Sequence, residues 1–451
     1  MSTVLALDLG TTRVKLGALR DDGALELLDA REAPPPRGAG SVREVDAAGY
    51  AALADGLLAE HGAPRGTRLG LASQRSSFLV WGVDDLAPRT PLVSWQDRRA
   101  AEWCAAHAQL APRVLELTGL PLSPHYLGPK LAVLLAQRPE LRAGLANGSL
   151  RVGTLETWRV ARWGGPLETD FSMAARTLLV DVAAGDWSDE LLELFGVPGN
   201  ALARVVDTAP RAVELENGLL LAASLADQGS GLVAAVGDED GAALVNLGTG
   251  AFVLRSTGSR FTPRAGYLAG PVARVAGVPR FALEGTVNGG GATADRIARG
   301  PTAIPDTDPA PDAYCLPDEN GLGAPWWRSE LGFTENDAAR ALAPAERRRV
   351  VLEGLAFRIA GHLDALASDV ERVVLTGGLA REPFLRAALA TLAPAPLFVV
   401  EEPEATLAGA ARLAAGSRVP PPPAHACTEP PIAWLAPKRA RWRAWVESLL
   451  A

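Results

Sequence analysis

Val4-Leu5-Ala6-Leu7-Asp8-Leu9-Gly10-Thr11-Thr12-Arg13-Val14-Lys15 is the stretch on which the reading of this chain turns. Four apolar residues read as a buried strand and run directly into Asp-x-Gly-Thr-Thr. A strand ending in a tight glycine turn offers backbone N–H groups and two hydroxyls to an anion. Asp8, at the strand's end, is placed to hold water around a bound Mg²⁺. About 240 residues further on, Ala243-Leu244-Val245-Asn246-Leu247-Gly248-Thr249-Gly250 repeats the design, with Asn246 where Asp8 stood. Two phosphate-cradling turns, one per half, imply a nucleotide clamped between related domains, and hence phosphoryl transfer. Alone, Asp-x-Gly-Thr-Thr is also a plain strand-to-hairpin turn; the echo weighs against that. No Gly-x-x-x-x-Gly-Lys-Ser/Thr is present, so this is not a P-loop.

At 451 residues the chain is too long for one core and reads as two or three domains. A net charge of −8 argues against nucleic acid and anionic membrane as partners. Of 44 basic residues only Lys15, Lys130 and Lys438 are lysines, a bias read as compositional. Cys104, Cys315 and Cys427 are widely spaced and form no Cys-x-x-Cys pair. A disulfide framework and a zinc site are therefore not expected, and a reducing cytoplasm fits. Asp8 breaks the first apolar run too early for a signal peptide, and no stretch is long and apolar enough to span a bilayer.

Leu16–Leu28 reads as a hairpin turning at Asp21-Asp22-Gly23. Asp46–Glu60 is an expected helix with Asp46 as N-cap and Gly62 beyond its end. Strands are expected at 68–73 and 78–83, and helices at 97–110 and 189–195. The run Gly218–Val236, with Asp227 inside it, reads as one small-residue helix opening the second half. A long helix at 345–368 leads into a strand at 372–376, Gly377-Gly378 and a helix from Glu382. That βα alternation implies a mainly parallel sheet with helices on both faces.

Several residues are candidates for chemistry. Asp227 lies among small and apolar residues, where an unpaired carboxylate is costly. It is either a helix N-cap or a general base taking a proton from a hydroxyl. Gly377-Gly378 can let a flat ring approach the backbone. Gln74-Arg75-Ser76 sits between two strands and Trp95-Gln96-Asp97-Arg98-Arg99 follows; Arg75 offers a fork of donors or a surface ion pair. His125 and Tyr126, before Gly128-Pro129-Lys130, are core or pocket.

In this order the residues resemble the FGGY family of carbohydrate kinases, closest to its glycerol kinase branch. Gln74-Arg75 with Val80-Trp81, Ser94–Arg99, Gly119–Lys130, Gly153–Trp158, Ala175–Leu178, Ala282–Gly285 and Gly321–Trp327 are each similar to a family segment. The resemblance implies an α/β fold of two actin-like (ribonuclease H-like) domains, with mixed sheets flanked by helices and the active site in the interdomain cleft. Residues 1–225 would hold the polyol or sugar and the first phosphate turn, and residues 226–451 the ATP. It implies ATP and Mg²⁺ as cofactors, a small polyol or sugar as partner, and is compatible with a homodimer. Asp227 matches the catalytic base and Asp8 the metal-linked carboxylate. Thr11, Thr12, Lys15, Gly248, Thr249, Gly377 and Gly378 fall at the nucleotide, and Arg75, Ser76, Trp95, His125, Gln228 and Phe252 at the substrate. Ser76 replaces a glutamate of glycerol kinases and His125 a tyrosine. Ser is shorter and uncharged, which leaves room for a longer polyol or a ketose. An actin- or chaperone-like ATPase and a non-catalytic sugar sensor are the rival readings.

Overall fold

A computed structural model describes residues 4–237, 239–248, 250–319, 321–416 and 423–451. The first sheet is built from β1 (Val4–Leu9), β2 (Arg13–Leu19), β3 (Leu25–Glu32), β4 (Arg68–Ser73), β5 (Val213–Glu214) and β6 (Leu220–Ala226), in the order β5-β6-β4-β1-β2-β3. β1 is buried along its whole length, which is why its first four residues are all apolar and do not alternate with polar ones. It pairs antiparallel with β2 across the Gly10–Thr12 turn and parallel with β4; β4 pairs parallel with β6.

The second sheet repeats this plan. It contains β7 (Ala242–Leu247), β8 (Ala251–Gly258), β9 (Leu268–Val275), β10 (Val278–Val287), β11 (Arg372–Thr376), β12 (Leu397–Val400) and β13 (Ala424–Ala426), in the order β9-β10-β8-β7-β11-β12-β13. β7 pairs antiparallel with β8 across the second glycine turn and parallel with β11. The sequence echo is thus an echo of topology. Both sheets are mixed, which corrects the mainly parallel expectation. Each glycine turn folds its strand back as a hairpin, and hairpin partners are antiparallel.

Three helices matter for the site: α1 (Ala47–His61), α2 (Leu127–Gln137) and α3 (Asp227–Val236). α1 starts where Asp46 accepts the Gly49 N–H at 3.1 Å, as its N-cap pattern predicts. α3 is only the latter part of the expected Gly218–Val236 helix; Leu220–Ala226 is a strand instead. Its small apolar residues have no decisive period, and the slot beside β4 decides the outcome. The expected helix over 97–110 shortens to Ala101–Ala106 and a turn at 108–110. The Asp97 carboxylate holds the backbone N–H groups of Arg43 and Arg99, fixing a turn before the helix begins.

The second half adds α4 (Gly291–Ile297), α5 (Pro344–Leu366) and α6 (Ala405–Ala415). α6 crosses back onto the first sheet, where Leu407, Ala410 and Ala411 pack with Val4, Ala6 and Ala222. Gly409 makes that crossing possible, since a Cβ there would run into the Ser230 carbonyl of α3. No helix among the described residues is long and apolar enough to cross a membrane.

Candidate active site

Parallel pairing brings the site together. Asp8, Ala72 and Leu225 lie abreast on β1, β4 and β6, so these strands end at one edge. From that edge emerge the Gly10–Thr12 turn, the Gln74–Ser77 loop and Asp227, the first residue of α3. On the second sheet Asn246 lies abreast of Thr376, so Gly248 and Gly377 leave neighbouring strands side by side. The carboxyl ends of parallel strands are where α/β sheets hold ligands.

Four charged side chains occupy the floor. Arg75 lies 3.3 Å through Nε from Asp227 Oδ1. Its two terminal nitrogens donate to Glu284 of β10 at 2.9 and 3.3 Å. Arg176 donates to the same carboxylate at 2.7 Å. Flanked by two guanidinium groups, Glu284 is held down at about 2 despite its burial. Asp227 moves the other way. Burial raises it, Arg75 opposes the rise, and the Gln228 N–H bonds it at 2.8 Å. A carboxylate raised in this way is a better proton acceptor than an ordinary one.

The candidate substrate wall stands over this floor. Trp95 is 37% exposed, leaving part of its indole open to a ligand. Its indole N–H donates to the Thr11 hydroxyl at 2.9 Å, so the candidate substrate wall and the Gly10–Thr12 turn share a hydrogen bond. The His125 ring is tilted beside Trp95 at 6.2 Å between centroids. Burial pushes His125 down to about 4, so the ring is neutral near pH 7. The Trp95 carbonyl, 3.2 Å from Nδ1, can only accept; Nδ1 therefore carries the proton and Nε2 is left as an acceptor. Ser76 is buried with φ at 64°, and its hydroxyl donates to the Arg176 carbonyl at 3.0 Å. Gln228 lines a small pocket with Arg75, Arg176 and Glu284. Phe252, on β8, packs in the apolar cluster beneath, with Leu254 and Val272. Trp95→Phe keeps a ring and removes the shared bond. We expect the KM for ATP to rise by about three- to tenfold, the worth of one net hydrogen bond. An unchanged KM for ATP would show that the two regions are not linked through Thr11.

At the candidate phosphate turn, the Gly10 carbonyl is held by Tyr50 Oη at 2.7 Å and by Gln74 Nε2 at 3.3 Å. Thr11 and Thr12 follow in the turn, with the Thr12 side chain exposed. Lys15 reaches Glu404 at 2.5 Å, just ahead of α6. Thr249 lies outside the described residues; Gly248 beside it is exposed. Gly377 has φ at 90°, and a Cβ there would strike the Leu247 carbonyl, whereas Gly378 faces open space. Gly377→Ala should therefore lower thermal stability, and Gly378→Ala should leave stability intact while raising the KM for ATP. A melting temperature equally lowered by both would refute the distinction.

A divalent cation fits here on one observation. The buried Asp8 carboxylate has an oxygen, Oδ1, without a hydrogen-bond partner. Burial raises Asp8 to about 7, Asp227 adds to the rise, and Lys15 opposes it. A single buried carboxylate matches Mg²⁺, which keeps most of its waters and binds substrate phosphates.

Arg176 and Glu284 were not among the site residues drawn from the sequence, and neither was Tyr50. Their signal was available for the charged pair: Arg in Ala-Ala-Arg-Thr-Leu-Leu and Glu in Phe-Ala-Leu-Glu-Gly-Thr-Val are ions inside apolar runs, which must be paired.

The model of the FGGY family of carbohydrate kinases, N-terminal domain, matches residues 3–244, and that of the C-terminal domain matches residues 243–417. A glycerol kinase of Leptothrix cholodnii is 33% identical over 374 residues, 77% of this chain and 75% of that protein. The crystal structure of Plasmodium falciparum glycerol kinase with ADP superposes with a TM-score of 0.85 at 20% identity, covering 100% of this chain and 99% of that one. A ligand-bound xylulose kinase from Lactobacillus acidophilus gives 0.83 at 20% identity, with 100% and 99% covered. The two structural likenesses speak to the fold. The family models, which together match residues 3–417, carry the conclusion: this chain belongs to the FGGY family of carbohydrate kinases and is an ATP-dependent kinase of a small polyol or sugar.

Proposed function

We propose that the enzyme moves the γ-phosphate of ATP to a primary hydroxyl of a polyol or ketose longer than glycerol, with Asp227 as general base. The observation that carries this reading is the placement of Asp227 between Arg75 and the Asp8–Thr12 turn, where the ends of β1, β4 and β6 meet. Substrate lies on Trp95, its hydroxyls donating to His125 Nε2 and accepting from Arg75. The nucleotide lies along Gly248, Gly377 and Gly378, its phosphates toward Thr11 and Thr12. Asp227 accepts the hydroxyl proton as the oxygen attacks in line. Asp8 would hold a magnesium ion through its free Oδ1; when bound, that ion offsets charge on the phosphates. Closing the cleft excludes water that would otherwise hydrolyse ATP.

The curated relatives favour a polyol. Ser76 and His125 favour a longer one. Ser76 spends its hydroxyl on the Arg176 carbonyl and cannot grip a short substrate as a glutamate would. We place the activity in the cytoplasm, where three unpaired cysteines are at home. The test is ADP release with Mg·ATP across glycerol, erythritol, ribitol, xylitol, arabinitol, D- and L-xylulose, ribulose and gluconate. A four- or five-carbon compound should give the highest kcat/KM. Preference for glycerol would refute the longer substrate, and a rate independent of every compound would return the ATPase reading.

A further inference from the structure

Lysine is almost absent from this chain, and where it survives it is placed. Lys15 meets Glu404, Lys438 is enclosed with Glu353 and Asp308, and Lys130 is enclosed with no carboxylate in ion-pair reach among the described residues. Lys130 lies in α2 with no solvent exposure. Its ammonium donates to the carbonyl of Ser94 at 2.8 Å and lies 3.4 Å from that of Ser76, above the Phe78 ring. Each carbonyl belongs to the neighbour of a pocket residue: Ser94 precedes Trp95 and Ser76 follows Arg75.

An enclosed cation is expensive, and burial pushes this one down to about 7. Nearby Asp97 favours its charge and Arg99 opposes it. Ser76 is itself in the left-handed region at φ 64°, a conformation that a serine adopts only when its surroundings hold it there. A guanidinium, planar and larger, would overpack the site, whereas an ammonium is a compact donor that can serve two oxygens at once. The same two segments are joined a second time, by the Trp95 N–H donating to Ser77 Oγ at 3.0 Å.

We propose that Lys130 is a positioning residue of the substrate pocket: by bonding the Ser76 and Ser94 carbonyls it clips the Arg75 loop to the Trp95 loop and sets the spacing between the guanidinium and the indole. The clip rests on the reading of Arg75 and Trp95 as pocket walls only for its kinetic consequence; its structural consequence stands alone.

The experiment compares the full-length wild type with Lys130→Met and Lys438→Met. Lys438 is equally buried but lies at Glu353 and Asp308, away from the pocket, so its variant reports the cost of losing any enclosed lysine. Hydrogen exchange followed by mass spectrometry needs no ligand. In Lys130→Met the Trp95 amide and peptides covering 74–78 and 93–97 should exchange about 10- to 100-fold faster, the worth of bonds from a charged donor. In Lys438→Met those peptides should keep wild-type rates. Unchanged protection there in Lys130→Met, or equal loss in both variants, would overturn the clip. Kinetics with D-xylulose and glycerol as probes, each titrated to its KM or to the solubility limit, add the second readout. Lys130→Met should raise the KM for the better probe by about tenfold or more with kcat little changed. A fall in kcat alone would assign Lys130 a different role. Arg75→Met run alongside separates the failures. If it too leaves that KM unmoved, the pocket reading falls; if only Lys130→Met does, the clip falls.

Discussion

Asp227→Asn should cut kcat by about 10²- to 10⁴-fold, the usual range for loss of a general base, with little change in either KM. Asparagine preserves size and can still accept the Gln228 N–H that Asp227 Oδ1 now receives at 2.8 Å. What it loses is proton affinity. The pH profile adds a sign. Asp227 acts as base only when ionised, so kcat must fall as pH drops through its pKa. Burial raises that pKa from 3.8, so the acid limb should lie at higher pH than for an ordinary carboxylate. The limb should vanish from the residual activity of Asp227→Asn. A variant with near-normal turnover would remove Asp227 from the chemistry.

Arg75→Met should be the most damaging change to the floor of the cleft. The methionine fills similar volume but leaves Glu284 with Arg176 alone and removes the ion-pair partner of Asp227, whose charge then faces only the more distant Arg176. Breaking a buried pair by removing one partner costs about 3–5 kcal/mol, because the other charge stays buried. Thermal denaturation should show a loss of that order, and kcat/KM for the sugar should fall by about 10²- to 10³-fold. The double variant Arg75→Met/Glu284→Gln separates the effects. Neutralising Glu284 should recover part of the stability and none of the activity. Recovery of both would mean that Arg75 matters only as a counter-ion.

Much of this is legible in the sequence alone, for identifiable reasons. The two glycine turns have a local cause, a buried strand ending in small residues, and each became the hairpin after β1 or β7. Asp46 as a cap and the helix over 189–195 likewise depend on neighbours in sequence. The failures depend on distant partners. Leu220–Ala226 is a strand because β4 is next to it, and nothing within the segment says so. Ser76 takes a left-handed backbone because Arg176 and Lys130, far away in sequence, bond its hydroxyl and carbonyl. Glu284 enters the site from the second sheet to meet Arg75, in the loop that follows β4 of the first. Short motifs place the candidate nucleophile-activating and phosphate groups; that Arg176 and Glu284 need partners is legible from their apolar surroundings, but which partners they take shows itself only when the sheets face each other.

The central claim, transfer of phosphate to a sugar hydroxyl in a site built on Asp227, is tested most directly by counting products. Purified enzyme, Mg·ATP and the best compound of the polyol panel are incubated, and ADP and phosphorylated sugar are quantified together by mass spectrometry. The account predicts one sugar phosphate for every ADP, no inorganic phosphate above the sugar-free background, and loss of both products in Asp227→Asn. ADP matched by inorganic phosphate, with no phosphorylated sugar, would contradict it.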